Sequence, residues 1–190
     1  MIYFVDDFLN KDLFKETIKE LNSKDYIEHK TPGKSFWVQE AKAGFITHVA
    51  KLISKYENYN IEPILSFFRI STDTIDTEWR IHSDGIINNQ QPDRAIVLYL
   101  SQKELKELHG TAFWSHNTYG RKQPENISNE EFDRFLTQES ENLENWTLNT
   151  VLGYEQNRLI SYPANYFHSK YPNKSWESGR EVFVMFYKIK

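Results

Sequence analysis

"PILSFFRIS" (residues 63–71) is the point at which the pattern of apolar residues changes from a helical period to the alternation of β-strands. Six further stretches downstream have the same strand character, and polar or turn-forming segments separate them. They are "EWRIHSD" (78–84), "RAIVLYLS" (94–101), "GTAFWSH" (110–116), "WTLNTVLGY" (146–154), "NRLISYP" (157–163) and "REVFVMFYKI" (180–189). About seven or eight strands in succession are typical of a jelly roll or a related double-sheet barrel.

The residues before this stretch predict a short strand and two helices. "IYFVDDF" (2–8) alternates like a strand, and "NKDLFKETIKEL" (10–21) has an apolar stripe at helical spacing behind an Asn10 cap. "TPGKS" (31–35) predicts a turn, and the apolar residues from Phe45 to Tyr56 predict a second amphipathic helix. We therefore expect a mainly β fold, a double-stranded β-helix (jelly roll, cupin-like), with the N-terminal α-helices packed on one sheet.

The length and composition set the limits on domain number and function class. A chain of 190 residues that is 39% hydrophobic can bury one substantial core. We expect a single domain over 1–190, with a helical part at about 1–60 and a β core at about 61–190. The chain has no apolar run of transmembrane length, and the start of the sequence lacks the basic residues of a signal peptide, so a cytoplasmic location is expected. The net charge of -4 argues weakly against nucleic-acid binding.

A long polar segment, residues 116–145, interrupts the run of strands. Ser128 and Glu131 form the sequence signature of a capping box, which predicts a short helix over Phe132, Phe135 and Leu136. A long insertion between strands is often a lid or a substrate loop, and a simple surface excursion is an equal alternative.

His82 and Asp84 are the first candidate site residues. In a strand, alternate side chains leave on the same face, so these two point together while Ile81 and Ser83 point the other way. A His followed two residues later by an Asp arises by chance in about one such chain in four, and the pair taken alone is better explained as part of a solvated polar face. The pair gains weight from His168, at the end of a late strand, and from Arg180, which begins the last strand. The chain has no cysteine, so any metal must be bound by His, Asp or Glu.

In this order, these residues resemble the Fe(II)- and 2-oxoglutarate-dependent oxygenases, and the pattern is most similar to the prolyl-hydroxylase-like branch. The likeness extends from about residue 79 to residue 187. Its pieces are "HSDG" (82–85), "VLYLS" (97–101), "HGTAFW" (109–114) and "YPANYFHS" (162–169), and the strand-and-helix entry at 2–21 is a weaker match. Two positions depart from the branch. His109 and Gly110 stand where relatives have a doubled glycine, and Arg180 stands where collagen-type prolyl hydroxylases carry lysine.

The resemblance implies a metal site and a co-substrate. His82, Asp84 and His168 would be the catalytic metal ligands, binding Fe(II) as a two-His, one-carboxylate facial triad that leaves three positions open. Two positions would be taken by 2-oxoglutarate and one by molecular oxygen. Decarboxylation of 2-oxoglutarate would then drive the oxidation of an unactivated C–H bond. Related halogenases lack the carboxylate ligand, so Asp84 favours hydroxylation or hydroxylation-driven demethylation.

Arg180 and Tyr99 are the candidate co-substrate residues. Arg180 shares a strand face with Val182, Val184 and Phe186, where an unpaired guanidinium would be costly, so it requires a carboxylate partner. The partner could be a nearby Asp or Glu, or the distal carboxylate of 2-oxoglutarate, which we favour because its geometry suits a guanidinium. By the resemblance, Tyr99 would help to hold that carboxylate, although core packing explains a tyrosine there equally well.

The remaining polar and aromatic candidates are assigned other roles. We expect surface or supporting roles, and not metal ligation, for His29, His48, His109 and His116. Trp114, Trp176 and Arg69 could line the site, although structural roles are favoured for them. His116 could reach the pocket mouth from the start of the polar segment.

Three alternative functions were weighed. A zinc hydrolase lacks an HExxH helix or an obvious general base in this sequence. A non-catalytic jelly roll that binds metal or sugar would leave Arg180 unexplained. A nucleic-acid oxygenase gains nothing from the acidic charge. The expected partner is a small-molecule or protein substrate, not a membrane or a nucleic acid, and the sequence does not specify the substrate or the oligomeric state.

Overall fold

A computed structural model describes residues 1–31, 34–76, 79–101, 108–172, 176 and 179–190. The elements in chain order are β1 (Tyr3–Val5), α1 (Lys11–Leu21), β2 (Ile27–Thr31), β3 (Lys34–Glu40), α2 (Ala43–Glu57), β4 (Ile61–Ser71), β5 (Arg94–Tyr99), β6 (Gly110–His116), α3 (Asn129–Glu139), a 3-10 turn (Leu143–Asn145), β7 (Trp146–Gly153), β8 (Leu159–Pro163), β9 (His168–Tyr171) and β10 (Arg180–Ile189). The helix predicted behind Asn10 is confirmed as α1, and that predicted from Phe45 to Tyr56 as α2.

The strands of the described residues form two sheets, and their neighbouring strands are antiparallel. The major sheet has the strand order β1-β8-β5-β10-β4-β3-β2, and the minor sheet has the order β7-β6-β9. Strands that are distant in sequence therefore lie side by side, as in a double-sheet barrel. The predicted jelly-roll fold is confirmed.

β10 runs along the middle of the major sheet and pairs with β4 and with β5. Its alternation divides the side chains between two apolar clusters. Val182 and Val184 face the barrel interior with residues of β5 and β8, whereas Phe183 and Met185 face the helices. The inner face of β10 therefore becomes one wall of the space between the sheets.

Both N-terminal helices pack on the outer face of the major sheet, as predicted. The Asn10 side chain accepts a hydrogen bond from the Leu13 amide at 3.0 Å and so caps α1. Val49 and Ile53 of α2 are fully buried in the cluster that contains Phe183 and Met185. This layer closes one face of the sheet and leaves its other face to line the site.

Two parts of the fold differ from the expectation. "EWRIHSD" (78–84) does not form a regular strand in its described part; the segment is extended but makes only an isolated bridge through His82. The reason is that its backbone hydrogen bonds go to three separate segments, at Ser140, Ala164 and His168. The second difference is the β2–β3 pair, which the sequence interpretation missed and which extends the major sheet past β4. Of the predicted turn at 31–35, residues 32 and 33 lie outside the described residues.

α3 confirms the predicted capping box. The Ser128 hydroxyl accepts from the Glu131 amide at 3.2 Å, and the Glu131 carboxylate accepts from the Ser128 amide at 3.0 Å. Phe132 and Leu136 are buried against aromatic residues of the minor-sheet layer. Within the described residues, none of the helices combines the length and the apolar character needed to cross a membrane.

Candidate metal centre

His82 and His168 face each other across an antiparallel bridge. The His82 amide donates to the His168 carbonyl at 3.0 Å, and the His168 amide donates to the His82 carbonyl at 2.8 Å. Both side chains therefore leave on the same side, and their ring centroids lie 4.4 Å apart. His168 is the first residue of β9, so the bridge extends the minor sheet beyond that strand.

Asp84 joins this pair from the same extended segment. Its amide donates to the Ala164 carbonyl at 2.8 Å, and its Oδ1 lies 3.7 Å from His168 Nε2. The predicted alternation holds although no regular strand is present: Ile81 lies in the core, and the Ser83 hydroxyl donates to Gln123 on the other side. One ligand atom from each of His82, Asp84 and His168 falls within 4.8 Å of the other two.

Hydrogen bonds fix the orientation of both imidazoles. Nδ1 of His82 lies 3.1 Å from the Arg80 carbonyl, and Nδ1 of His168 lies 2.9 Å from the Tyr166 carbonyl. A carbonyl can only accept, so each Nδ1 carries the proton and each Nε2 presents a lone pair to the site. This second hydrogen bond is the usual support of a metal-ligating histidine.

The electrostatics of the triad favour a bound cation. Burial, reinforced by the neighbouring His168, lowers the pKa of His82 well below its ordinary value, so this imidazole is neutral and able to ligate. Burial raises the pKa of Asp84 to about 6, although the charges of His168 and Arg69 oppose that shift. The Asp84 Oδ2 atom is buried without a hydrogen-bond partner among the described residues. A divalent cation would supply the missing partner, and two imidazoles with one carboxylate are a donor set that fits such an ion.

A cavity of about 150 Å³ leads from the triad across the inner face of the major sheet. Its walls combine polar and apolar side chains. They are formed by Phe36, Phe67, Arg69, Arg80, His82, Asp84, Val97, Thr111, Tyr162, His168, Ser169, Lys170, Arg180, Val184 and Phe186. The triad and Arg180 therefore line one and the same cavity.

Arg180 is buried, and its Cζ lies 5.5 Å from the ring centres of both Tyr99 and Trp176. Its Nε is without a hydrogen-bond partner, and within the described residues no carboxylate pairs with it. The described residues therefore give no support to a structural ion pair at Arg180. Burial lowers the pKa of this guanidinium, a penalty that an anionic ligand would remove.

Tyr99 is fully buried beside Arg180, and its hydroxyl lies 2.7 Å from the Thr111 hydroxyl. Burial raises the pKa of Tyr99, against the opposing effect of the Arg180 charge. Thr111 lines the cavity whereas Tyr99 stands behind it. Tyr99 therefore contacts a cavity-lining residue through its hydroxyl, while its ring packs in the core. A part of Tyr99 in co-substrate binding stays a prediction.

Several lining residues were missed or misjudged from sequence. The Tyr162 hydroxyl lies 3.2 Å from His168 Nε2, next to the candidate metal position. Tyr162 and Thr111 each occupy the inward-facing register of their strands, a signal that becomes readable only once the neighbouring strands are known. Arg69, for which a structural role was expected, also lines the cavity.

The other aromatic and histidine candidates lie away from the triad. His29 and His48 are exposed, and His116 is enclosed by Tyr119, Phe135 and Trp146. Among the residues that the structure describes, the triad is the one group of three or more His, Asp or Glu side chains placed to hold a metal ion. The Trp114 indole donates to the Ser169 hydroxyl within an apolar cluster, a structural role as predicted.

A second cavity of about 530 Å³ lies on the other side of His82. It separates the 80–86 segment from α3, which contributes Phe132, Asp133 and Leu136 to its wall. The polar segment 116–145 thus lies close to a candidate metal ligand. A lid function for this segment stays a prediction.

Comparison with known proteins gives no match by sequence but several matches by structure. The chain matches no protein-family model, and no curated protein matches it in sequence. Solved structures with the same fold include the epimerase SnoN from nogalamycin biosynthesis, in complex with Fe3+, alpha ketoglutarate and nogalamycin RO (TM-score 0.65, 11% identity, covering 98% of this chain and 78% of that chain).

Two further structures are HygX from Streptomyces hygroscopicus with nickel and 2-oxoglutarate bound (TM-score 0.60, 10% identity, 98% and 82% covered) and a Pseudomonas putida prolyl-4-hydroxylase (TM-score 0.56, 12% identity, 100% and 92% covered). The chain therefore has the fold of the non-haem, 2-oxoglutarate-dependent enzymes.

Proposed function

We propose that this protein is a non-haem Fe(II) oxygenase that couples the oxidative decarboxylation of 2-oxoglutarate to the hydroxylation of a substrate. One observation carries the proposal. A His82–Asp84–His168 cluster and a buried guanidinium without a carboxylate partner in the described residues line the same cavity. A metal-binding jelly roll without catalysis would need the first feature but not the second.

The three triad residues would hold Fe(II) through both Nε2 atoms and one Asp84 oxygen. The carbonyls of Arg80 and Tyr166 keep the imidazoles in the ligating tautomer. When bound, Fe(II) would supply open positions for the co-substrate and for oxygen. The three ligand atoms lie within 4.8 Å of one another, so the metal would occupy only a small part of the cavity. The rest would hold 2-oxoglutarate and the substrate.

Arg180 would bind the distal carboxylate of 2-oxoglutarate. Its guanidinium can form two parallel hydrogen bonds to a carboxylate, and Thr111, oriented by the Tyr99 hydroxyl, offers a further donor beside it. Val97 and Val184, which are paired across β5 and β10, line the same cavity, and their apolar side chains would suit the methylene carbons of the co-substrate.

Hydroxylation is the proposed outcome because the carboxylate ligand Asp84 is present, and hydroxylation-driven demethylation follows from the same chemistry. The fold alone does not select the outcome, since it also occurs in an epimerase and in the carbocyclase SnoK. The similarity of the site pattern to prolyl hydroxylases motivates the choice. The substrate is proposed to be a small molecule or a protein side chain.

The oxidation of 2-oxoglutarate in the absence of a substrate would test the reaction before the substrate is known. With Fe(II), ascorbate and oxygen, we expect the purified protein to form succinate from 2-oxoglutarate, and Asp84→Ala to reduce the rate at least about tenfold. Succinate is quantified by mass spectrometry. Zinc in place of Fe(II) should give none. Equal rates for wild type and Asp84→Ala would contradict the proposal, as would succinate formation supported by zinc.

A further inference from the structure

Arg69 brings a second guanidinium to the cavity, and the proposed chemistry does not use it. It lies on β4 opposite Val182 of β10, so it shares the inner face of the major sheet with Arg180. Arg180 is buried, whereas the Arg69 side chain is 23% exposed and lies towards solvent. The charge of Arg69 reaches the triad, where it lowers the pKa of Asp84 and of His82.

Asp76 fixes the orientation of Arg69. The Arg69 Nε donates to Asp76 Oδ2 at 2.5 Å, and Nη2 donates to Asp76 Oδ1 at 2.6 Å. The carboxylate itself is fully buried, and the guanidinium lies over the Phe36 ring at 4.6 Å from its centre. A guanidinium held in this way loses little further side-chain entropy when it binds a ligand.

The Arg69 guanidinium has N–H donors that Asp76 does not use. Arginine carries five N–H donors, and Asp76 accepts from two of them. Among the described residues, no other hydrogen bond uses the remaining Nη2 proton or the two Nη1 protons. These three donors lie on the edge away from Asp76, on a side chain that lines the cavity.

Arg158 provides an internal comparison, because it also pairs with a carboxylate through two donors and lies over a phenylalanine ring, but it does not line this cavity. It is bidentate to Asp6, at 2.5 and 3.0 Å, and lies over the Phe4 ring at 4.7 Å. Its Nη1, however, donates to the Gly153 carbonyl at 2.7 Å, so that edge is occupied. The same edge of Arg69 has no such backbone partner among the described residues.

The surroundings of Arg69 combine positive charge with an apolar surface. Phe36, Phe67 and Phe186 line the same part of the sheet, and the Lys170 ammonium donates to the Asp76 carbonyl at 2.6 Å. A ligand placed there would have its anionic group on guanidinium donors and its hydrocarbon part against aromatic rings. The triad lies in the same cavity, within reach of that hydrocarbon part.

From this geometry we infer that the substrate is a small-molecule carboxylate with an apolar body, and that Arg69 binds its carboxylate. The inference rests on the proposed function in that the ligand of this site is the molecule that is oxidised. The guanidinium edge accommodates a planar carboxylate with two parallel hydrogen bonds. Arg180 stays available for 2-oxoglutarate, because its guanidinium is buried whereas that of Arg69 lies towards solvent.

The test compares acids with their uncharged amides. Phenylacetate, 3-phenylpropanoate and hexanoate, each with its amide, are titrated calorimetrically into the anaerobic protein loaded with Fe(II) and 2-oxoglutarate. A hydrogen-bonded charge pair is worth roughly 1.5 to 3 kcal/mol, so at least one acid should bind about 10- to 100-fold more tightly than its amide. Phenyl phosphate serves as a tetrahedral anion, and we expect it to bind less tightly than the best carboxylate.

The variant is the double substitution Arg69→Gln with Asp76→Asn, which leaves no buried carboxylate unpaired. It should bring the acid-to-amide ratio to about one while changing 2-oxoglutarate affinity less than about threefold. The control, Arg158→Gln with Asp6→Asn, removes another bidentate pair, one that does not line the cavity, and should keep the wild-type ratio. If the role of Arg69 were purely structural, the double substitution would lower the melting temperature without changing the acid-to-amide ratio.

Three results would overturn the inference: no acid preferred over its amide, a ratio unchanged in the Arg69 variant, or phosphate preferred over every carboxylate. The same titrations on metal-free protein separate this failure from that of the proposed function. An Arg69-dependent preference for acids in a protein that binds no 2-oxoglutarate would support the anion site and contradict the oxygenase assignment.

Discussion

Replacing Asp84 by asparagine is expected to abolish tight Fe(II) binding and at the same time to stabilise the metal-free protein. The loss of binding follows because the neutral amide removes the only anionic ligand of the triad, while His82 and His168 stay in place. The gain in stability follows because Asp84 is buried and its Oδ2 has no hydrogen-bond partner among the described residues. Metal affinity, measured by calorimetry, should fall at least about 100-fold.

The sign of the stability change follows from the pKa of Asp84, which burial raises from 3.8 to about 6. Because the folded state holds this proton more tightly, the associated stability is fully present below pH 3.8 and is lost as pH rises through about 6. At pH 7 the ionised carboxylate therefore costs the metal-free fold up to about 3 kcal/mol. Asparagine removes this cost, and we expect about 1 to 3 kcal/mol of added stability.

Thermal unfolding in the presence of a chelator checks this expectation. The Asp84→Asn variant should melt at a higher temperature than wild type at pH 7, and the difference should shrink at pH 5, where wild-type Asp84 is protonated. Asp93→Asn is the matched control, since this carboxylate lies at the surface beside Lys188. It should gain no stability and bind metal normally. A metal affinity of wild-type strength in Asp84→Asn would contradict the assignment of the triad.

Replacing Arg180 by alanine is expected to give the opposite pattern, with Fe(II) binding kept and 2-oxoglutarate binding lost. The guanidinium would contact the co-substrate at the far end of the cavity and never the metal. Breaking a hydrogen-bonded charge pair costs roughly 2 to 5 kcal/mol, so the dissociation constant for 2-oxoglutarate should rise about 30-fold to several thousand-fold. Calorimetric titration with metal and then with 2-oxoglutarate measures both.

Two further variants make this result specific. Arg180→Lys keeps the charge but loses the planar pair of donors, so its affinity for 2-oxoglutarate should be intermediate. Arg158→Ala removes a partly exposed guanidinium that does not line the cavity and should change neither affinity. If Arg180→Ala bound 2-oxoglutarate as tightly as wild type, or unfolded before the ligand was added, Arg180 would be a structural residue.

The sequence was sufficient to predict the bounds of strands that pair with a neighbouring strand on both sides. β6 and β10 match their predicted bounds because each pairs with a strand on either side and alternates between two packed layers. The β2–β3 pair was missed because β2 is an edge strand with exposed, largely polar residues, and such residues carry little apolar alternation. The 78–84 segment was wrongly predicted to be a regular strand for another reason. Its backbone is held by hydrogen bonds to three separate segments and not by one neighbouring strand.

The sequence predicted those parts of the site that depend on local strand geometry or on the family resemblance. Alternation alone placed His82 and Asp84 together, and the family resemblance linked them to His168 and Arg180. For Arg69, the sequence left a lining role and a structural role both open, because its place in the cavity depends on β4 lying next to β10, which is a matter of strand order. Tyr162 reaches His168 for a similar reason, since the turn between β8 and β9 folds it back onto the bridge.

An anaerobic titration with Fe(II) and 2-oxoglutarate tests the central claim most directly. When both bind at one metal, as proposed, a visible metal-to-ligand charge-transfer band should appear only with Fe(II) and 2-oxoglutarate together and saturate at one equivalent of each. The band should be absent in Asp84→Asn, and in Arg180→Ala it should require far more 2-oxoglutarate. A wild-type protein that binds both ligands without this band, or binds neither, would contradict the account.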